Sequence, residues 1–296
     1  MQTVSANLGT CTVELHLPET TEIINMSKPT HLAEPAAKIK AALNATSAGP
    51  SLEQVIREKL KTNPAPKVAI VISDNTRPVP YHGEKGILWP VIEELFAQGI
   101  KAEQILILVA TGTHRPLTMD ELRSMLDPRI FATKIEIRNH DCEDPESLVY
   151  LGETQRGTRV YINRYYMEAD LKILTGLVES HFMAGASGGR KSVCPGLVGK
   201  ESTYVFHSAP VLASPLARDL VLDGNPCHEE ALEVAKKAGV DYIINVTLDQ
   251  EFNLTGVFAG ELEAAHRQAV EHLKSYVAIP LQKENDIVVT HAGFRS

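Results

Sequence analysis

No stretch of the 296-residue chain approaches the run of about 20 apolar residues that a membrane-spanning helix needs, so no membrane partner is expected. Cysteine is scarce. Cys11, Cys142, Cys194 and Cys227 are scattered and form no CxxC pair, which argues against a thiolate zinc site and for a reducing, cytoplasmic setting. Met1 to Thr10 has neither a basic nor an apolar region of the kind a signal peptide carries, so none is expected. There is no basic block, and a net charge of −8 makes nucleic acid and anionic membrane poor partners. Internal repeats and low-complexity tracts are absent too. What is present is ordinary for a globular protein: 44% apolar and 22% charged residues. The length suffices for one large domain or two modest ones, with a core that needs no disulfides.

Strand and helix patterns alternate along the chain. Thr3–Asn7 and Cys11–Leu17 read as a hairpin. Lys67–Ser73 and Ile105–Ala110 are continuous apolar runs and predict buried strands. Lys134–Arg138, Leu171–Thr175, Tyr242–Val246 and Asp286–Thr290 predict further strands. Helical spacing covers Leu32–Leu43, Leu52–Leu60 with Ser51 as N-cap, Ile87–Gln98 closed near Gly99, His228–Ala238 stopped by Gly239, and Leu262–Leu273. Thr118 and Glu121 make a capping box for a helix through Leu126. This alternation implies an α/β, Rossmann-like layered fold, a mainly parallel sheet with helices on both faces.

Three polar loops directly follow predicted buried strands, and ligands of open α/β sheets bind at such carboxyl ends. The first, Ser73 to Pro80, carries Asp74 and Arg77, which suit a hydroxyl, carboxylate or phosphate; the plain alternative is a loop-stabilising ion pair. The second, Ala110 to Pro116, carries Thr111, Gly112, Thr113 and His114. Gly112 permits close backbone approach, and His114 suits proton transfer unless it merely bonds its own turn. The third runs from Glu179 to Gly196. Its Ser187, Gly188, Gly189, Arg190 and Lys191 suggest a phosphate cradle or else a solvated loop. It fails the P-loop pattern, because Arg190 stands where the glycine before the lysine must be. His181 and His207 flank this loop as candidate metal ligands or as packed histidines.

Together these segments resemble the lactate racemase family. The resemblance rests on SDNTRP (Ser73–Pro78), ATGTHRP (Ala110–Pro116), NHD (Asn139–Asp141) and SHFMAGASGGRKSVCPG (Ser180–Gly196). It continues through His207, GNPCHE (Gly224–Glu229), AGVDYIINV (Ala238–Val246) and AGELEAAH (Ala259–His266), and covers about residues 10–293. It implies a racemase or epimerase of a small 2-hydroxy acid that uses a nickel-pincer nucleotide. Lys191 would hold this cofactor covalently, His207 would bind nickel, and His114 and His181 would form the acid/base pair. Asp74 and Arg77 would serve cofactor and substrate. By residue type, Thr111, Gly112, Thr113, Ser187, Gly188, Gly189 and Arg190 are expected beside the cofactor, with Arg190 near its phosphate.

The family also has a second domain that supplies substrate contacts, and here it is expected to be truncated or split off. Residues 1–270 read as the cofactor-bearing domain, and 271–296 as a connecting segment and the first strand of the missing part. A separate chain carrying that domain and the cofactor's maturation enzymes are the implied partners. Two rival readings stand beside this one: a non-catalytic or cofactor-carrying subunit, and a metal-dependent hydrolase built from His114, His181 and His207.

Overall fold

The structure is a computed structural model and describes residues 1–8, 11–45, 48–281 and 283–290. Residues 1–28 with 275–296 form one compact unit, and residues 29–274 form the other. In the first unit, β1 (Gln2–Leu8) pairs antiparallel with β2 (Cys11–Leu17), Gln2 opposite Leu17, as the alternation predicts. Asp286–Thr290, expected as a strand, has no sheet partner among the described residues. Ile287 and Val288 are 82% and 78% exposed, and β-prone sequence without a neighbouring ladder does not pair.

The second unit is built on a six-stranded sheet. Its strands are β3 (Val68–Ser73), β4 (Ile105–Ala110), β5 (Glu136–Asn139), β8 (Leu171–Leu177), β11 (Tyr242–Leu248) and β12 (Leu254–Gly260). Between β5 and β8 the chain makes a separate antiparallel hairpin, β6 (Leu148–Glu153) and β7 (Arg159–Asn163); two short strands, β9 (Ser180–His181) and β10 (Gly185–Ala186), follow β8. The sheet order is β12-β11-β8-β3-β4-β5, parallel throughout except for antiparallel β12 at one edge. Alternate residues of the central strands β3, β4, β8 and β11 enter two cores. Val68, Ile70 and Ile72 pack with α1 (Pro35–Asn44), α2 (Leu52–Thr62) and α3 (Leu88–Ala97). Ala69 and Val71 pack on the opposite face with α8 (Pro226–Ala238) and the start of α9 (Leu262–Val277). A strand covered on both faces must be apolar at every position, hence the unbroken runs VAIVIS and ILILVA.

Local signals set several boundaries. Ser51 caps α2 and Gln54 completes its box; Thr118 and Glu121 do the same for Met119–Met125. The first helix starts at Pro35, not Leu32, because proline has no N–H to give and fits the first helical turn. The hairpin and β12 are not expected from the sequence. In β12, Gly256 and Gly260 dilute the strand pattern, and antiparallel pairing to β11 makes the strand.

The chain runs from β3 to β4 and β5 on one side, then returns to place β8 and β11 on the other. The order therefore reverses between β3 and β8. Diverging connections leave a crevice at the carboxyl ends of such a strand pair.

Candidate functional site

The loops that leave β3, β4 and β8 carry the site. After β3, Asp74 turns back into the fold and is 4% exposed. Its Oδ1 accepts from the Thr76 amide at 3.1 Å, and its Oδ2 lies 2.6 Å from Nδ1 of His114, which follows β4. A carboxylate can only accept, so Nδ1 carries the proton and the lone pair of His114 stays on Nε2. The His114 side chain is 58% exposed and lines a cleft of about 500 Å³ with Thr113, Asn139, His140, Asp141 and Lys200. Arg77 reaches across the β3–β8 boundary, donating from Nη1 to Oε2 of Glu179 at 3.2 Å. The first loop thus meets the second through Asp74 and His114, and the third through Arg77 and Glu179.

Lys191, Arg77 and His207 lie within electrostatic reach of His181, Arg77 also acts on Lys191, and Lys191 acts on His207. Burial, together with the Arg190 and Arg77 cations, lowers the Lys191 pKa to about 7. Burial, then Lys191, Arg77, Arg190 and His207, lowers that of His181 to about 3. His207 is held below the ordinary imidazole value by partial desolvation and by Lys191. At neutral pH the cluster therefore offers uncharged imidazoles and an amine that is about half unprotonated. These are the forms in which such groups ligate metals or attack electrophiles.

The glycine-rich stretch behaves differently from expectation. It is a packed turn, not an open cradle. The Ser187 hydroxyl accepts from the Glu179 amide at 2.8 Å and donates to the Leu177 carbonyl at 2.7 Å. The Gly189 amide is taken by Asn245 Oδ1 at 2.8 Å, and a Cβ on Gly188 would meet Val178 at 2.8 Å. Arg190, 1% exposed, donates to Ala184 O at 2.6 Å and Gly188 O at 3.4 Å, and lies 3.0 Å from His266 Nε2. Its guanidinium is enclosed by protein, so the expected place beside a phosphate is corrected to an internal clamp. Thr111 is likewise committed, its hydroxyl donating to His140 O at 2.9 Å. Gly112, at φ +57°, donates to Gly196 O at 3.0 Å and joins the second loop to the third. Thr113 is exposed at the cleft.

Several residues matter that the sequence does not single out. Glu179 orients Arg77, and only its position after a strand hints at it. His140 holds the NHD segment: Asn163 Nδ2 donates to its Nδ1 at 3.0 Å, so Nε2–H faces Val198 O at 3.0 Å. Asn245 and His266 support the turn that carries Lys191 from β11 and α9.

Among the described residues no group of three or more His, Cys, Asp or Glu side chains is arranged to hold a metal. A metal in this site would need most of its ligands from a bound cofactor. One neutral imidazole, His207, and an amine that readily loses its proton, Lys191, fit that demand.

The family described as the lactate racemase N-terminal domain matches residues 8–219. The chain is 37% identical over 227 residues to a lactate racemase of Lactiplantibacillus plantarum, covering 77% of this chain and 52% of that protein. It is 34% identical over 226 residues to the lactate racemase of Thermoanaerobacterium thermosaccharolyticum, covering 76% and 52%. The solved lactate racemase apoprotein from the latter organism superposes with a TM-score of 0.79 at 28% identity, over 91% of this chain and 61% of that one. A Thermotoga maritima protein shares the fold, with a TM-score of 0.60 at 20% identity over 78% and 60%. The chain spans about half the length of the curated relatives it matches.

Proposed function

The chain belongs to the lactate racemase family through its N-terminal domain, and on that premise we propose that it is the cofactor-bearing part of a 2-hydroxy acid racemase or epimerase. Its cofactor is a nickel-pincer nucleotide, held covalently at Lys191 with His207 as the protein ligand to nickel. When bound, that group supplies a hydride acceptor, which spares the reaction a carbanion beside a carboxylate. Lys191 suits the covalent tie because about half of its amine is unprotonated near neutral pH. His207, uncharged, keeps a lone pair for the metal. Arg77, fixed on one side by Glu179, keeps other N–H groups for the substrate carboxylate. His114 Nε2 accepts the hydroxyl proton, and Asp74 holds the ring and stabilises the imidazolium that forms. His181 is the second member of the acid/base pair and serves the enantiomer whose hydroxyl points the opposite way. Further substrate contacts come from a domain on a separate chain or on a longer form of this one.

One observation supports this reading above the others. The reversal of strand order brings a desolvated lysine, Lys191, into one electrostatic cluster with His181, His207 and Arg77. The test is co-expression with the maturation enzymes, followed by mass measurement of the peptide that carries Lys191. A cofactor-sized adduct that disappears in Lys191→Ala is expected. An unmodified lysine, under conditions that load a related racemase, would refute the reading. An adduct without turnover, alone or with a partner chain, would favour a cofactor-carrying subunit.

A further inference from the structure

Arg190 is a buried arginine without a counter-anion. Its hydrogen bonds run to two carbonyls, Ala184 O and Gly188 O, and to the His266 ring. Among the described residues no carboxylate forms an ion pair with it, and only the neighbouring Cys194 and Cys227 thiols oppose the effect of burial on its pKa. Burial lowers that pKa to about 10, so the guanidinium is still charged at neutral pH. An interior cation left unpaired is costly. Its Nε has no hydrogen-bond partner, and neither does Nδ1 of His228 in α8. His228 is 4% exposed and its ring lies parallel to that of His266 in α9, with centroids 6.2 Å apart.

Arg190, His228 and His266 line one small cavity between α8, α9 and the turn that carries Lys191, and Leu232 and Leu262 complete its apolar wall. The cavity measures about 10 Å³, room for a single water-sized particle. Two more charged residues reach it, and both are paired elsewhere: Glu263 with Lys236 at 2.5 Å and Arg267 with Asp223 at 2.6 Å. Burial, then the Arg190, Arg267 and Lys236 cations, lowers the His228 pKa to about 3. The ring is therefore neutral and can offer an N–H without adding charge.

We propose that this cavity binds a single monatomic anion, chloride, between the Nε–H of Arg190 and an N–H at Nδ1 of His228. Charge selects the occupant. A water would satisfy both nitrogens and leave Arg190 uncompensated, whereas a halide does both tasks at once. Size excludes the alternatives, because phosphate, sulfate and carboxylates carry several heavy atoms and the cavity has room for one. The ion would sit behind the Lys191 turn and offset part of the repulsion that Arg190 exerts on that amine. The site follows from the ligand-free chain and does not depend on the racemase reading.

Crystals of the full chain grown in sodium chloride test this at long X-ray wavelength, where chlorine scatters anomalously and oxygen does not. An anomalous peak between Arg190 and His228 is expected. Density without that signal is a water and overturns the proposal, as does an empty cavity. In solution, the thermal midpoint should rise by about 2–4 °C as sodium chloride replaces sodium gluconate at constant ionic strength, once chloride reaches about ten times its dissociation constant. His228→Phe fills the cavity and removes Nδ1, so it should lose this increment and keep any general salt effect. The same increment in the variant would overturn the site. If His228→Phe does not fold, the anomalous map of the unaltered chain decides alone.

Discussion

At Lys191 two effects act in one direction. Burial removes water from the ammonium, and Arg190 and Arg77 repel it, so the amine titrates near 7 in place of 10.5. At pH 7 an ordinary lysine is unprotonated in only about one molecule in three thousand. Under limiting acylating reagent, Lys191 should therefore lead the lysines per exposed amine, with half-maximal reactivity near pH 7. Competitive labelling read by mass spectrometry checks this, and a midpoint near 10.5 would sink it. Lys191 and His207 are conspicuous in the sequence only as members of a recurring pattern; the desolvation that gives them their chemistry depends on neighbours far along the chain. Asp74 with His114 makes the same point through a hydrogen bond across 40 residues. Asp74→Asn presents an amide N–H to Nδ1 and forces the wrong tautomer. In loaded enzyme it should lower kcat by about 10²–10⁴-fold with a smaller change in KM. A loss below ten-fold would mean that Asp74 does not hold the base.

At the scale of elements, the turn that carries Lys191 is held by contacts that its glycines permit. Gly189 has φ +52°, and a Cβ there would meet His266 Cδ2 at 2.7 Å. Gly189→Ala should cost about 1–3 kcal/mol from backbone strain and the displaced imidazole, read as a lower midpoint in urea. An unchanged midpoint would show that the turn is loosely held. Ser51→Ala removes a cap whose bonds to Gln54 are 3.2 and 2.9 Å, and should cost about 1 kcal/mol without touching the site. Caps and buried strands are local, so the sequence shows them nearly to the residue: Ser51, Thr118 and Ile105–Ala110 are all legible. The glycine-rich stretch misleads for a complementary reason. Flexible composition suggests an open loop, whereas Asn245, His266 and Val221 close around it from distant elements.

The whole molecule carries buried imidazoles on both sides of the Lys191 turn. His181 and His228 are each lowered to about 3, chiefly by burial, and His140 and His266 are lowered too. The unfolded chain binds protons at these positions below about 6.5, while the native state withholds them at His181 and His228 until about 3, so the unfolded state binds more protons across that window. Stability should therefore fall steadily as pH drops from about 6.5 toward 3. The thermal midpoint against pH checks this, and His228→Gln should flatten the slope; a midpoint independent of pH across that window would contradict it. The sequence by itself determined the layered α/β class, most strand and helix positions, and membership of a family, because periodicity, caps and recurring motifs are local properties. Only the tertiary structure decided where strand order reverses, which of the polar loop residues face a cleft and which are consumed inside, and which nitrogen of His114 and of His140 holds its proton. Those outcomes depend on desolvation and on hydrogen-bond partners brought together from separate strands, and no local pattern encodes them.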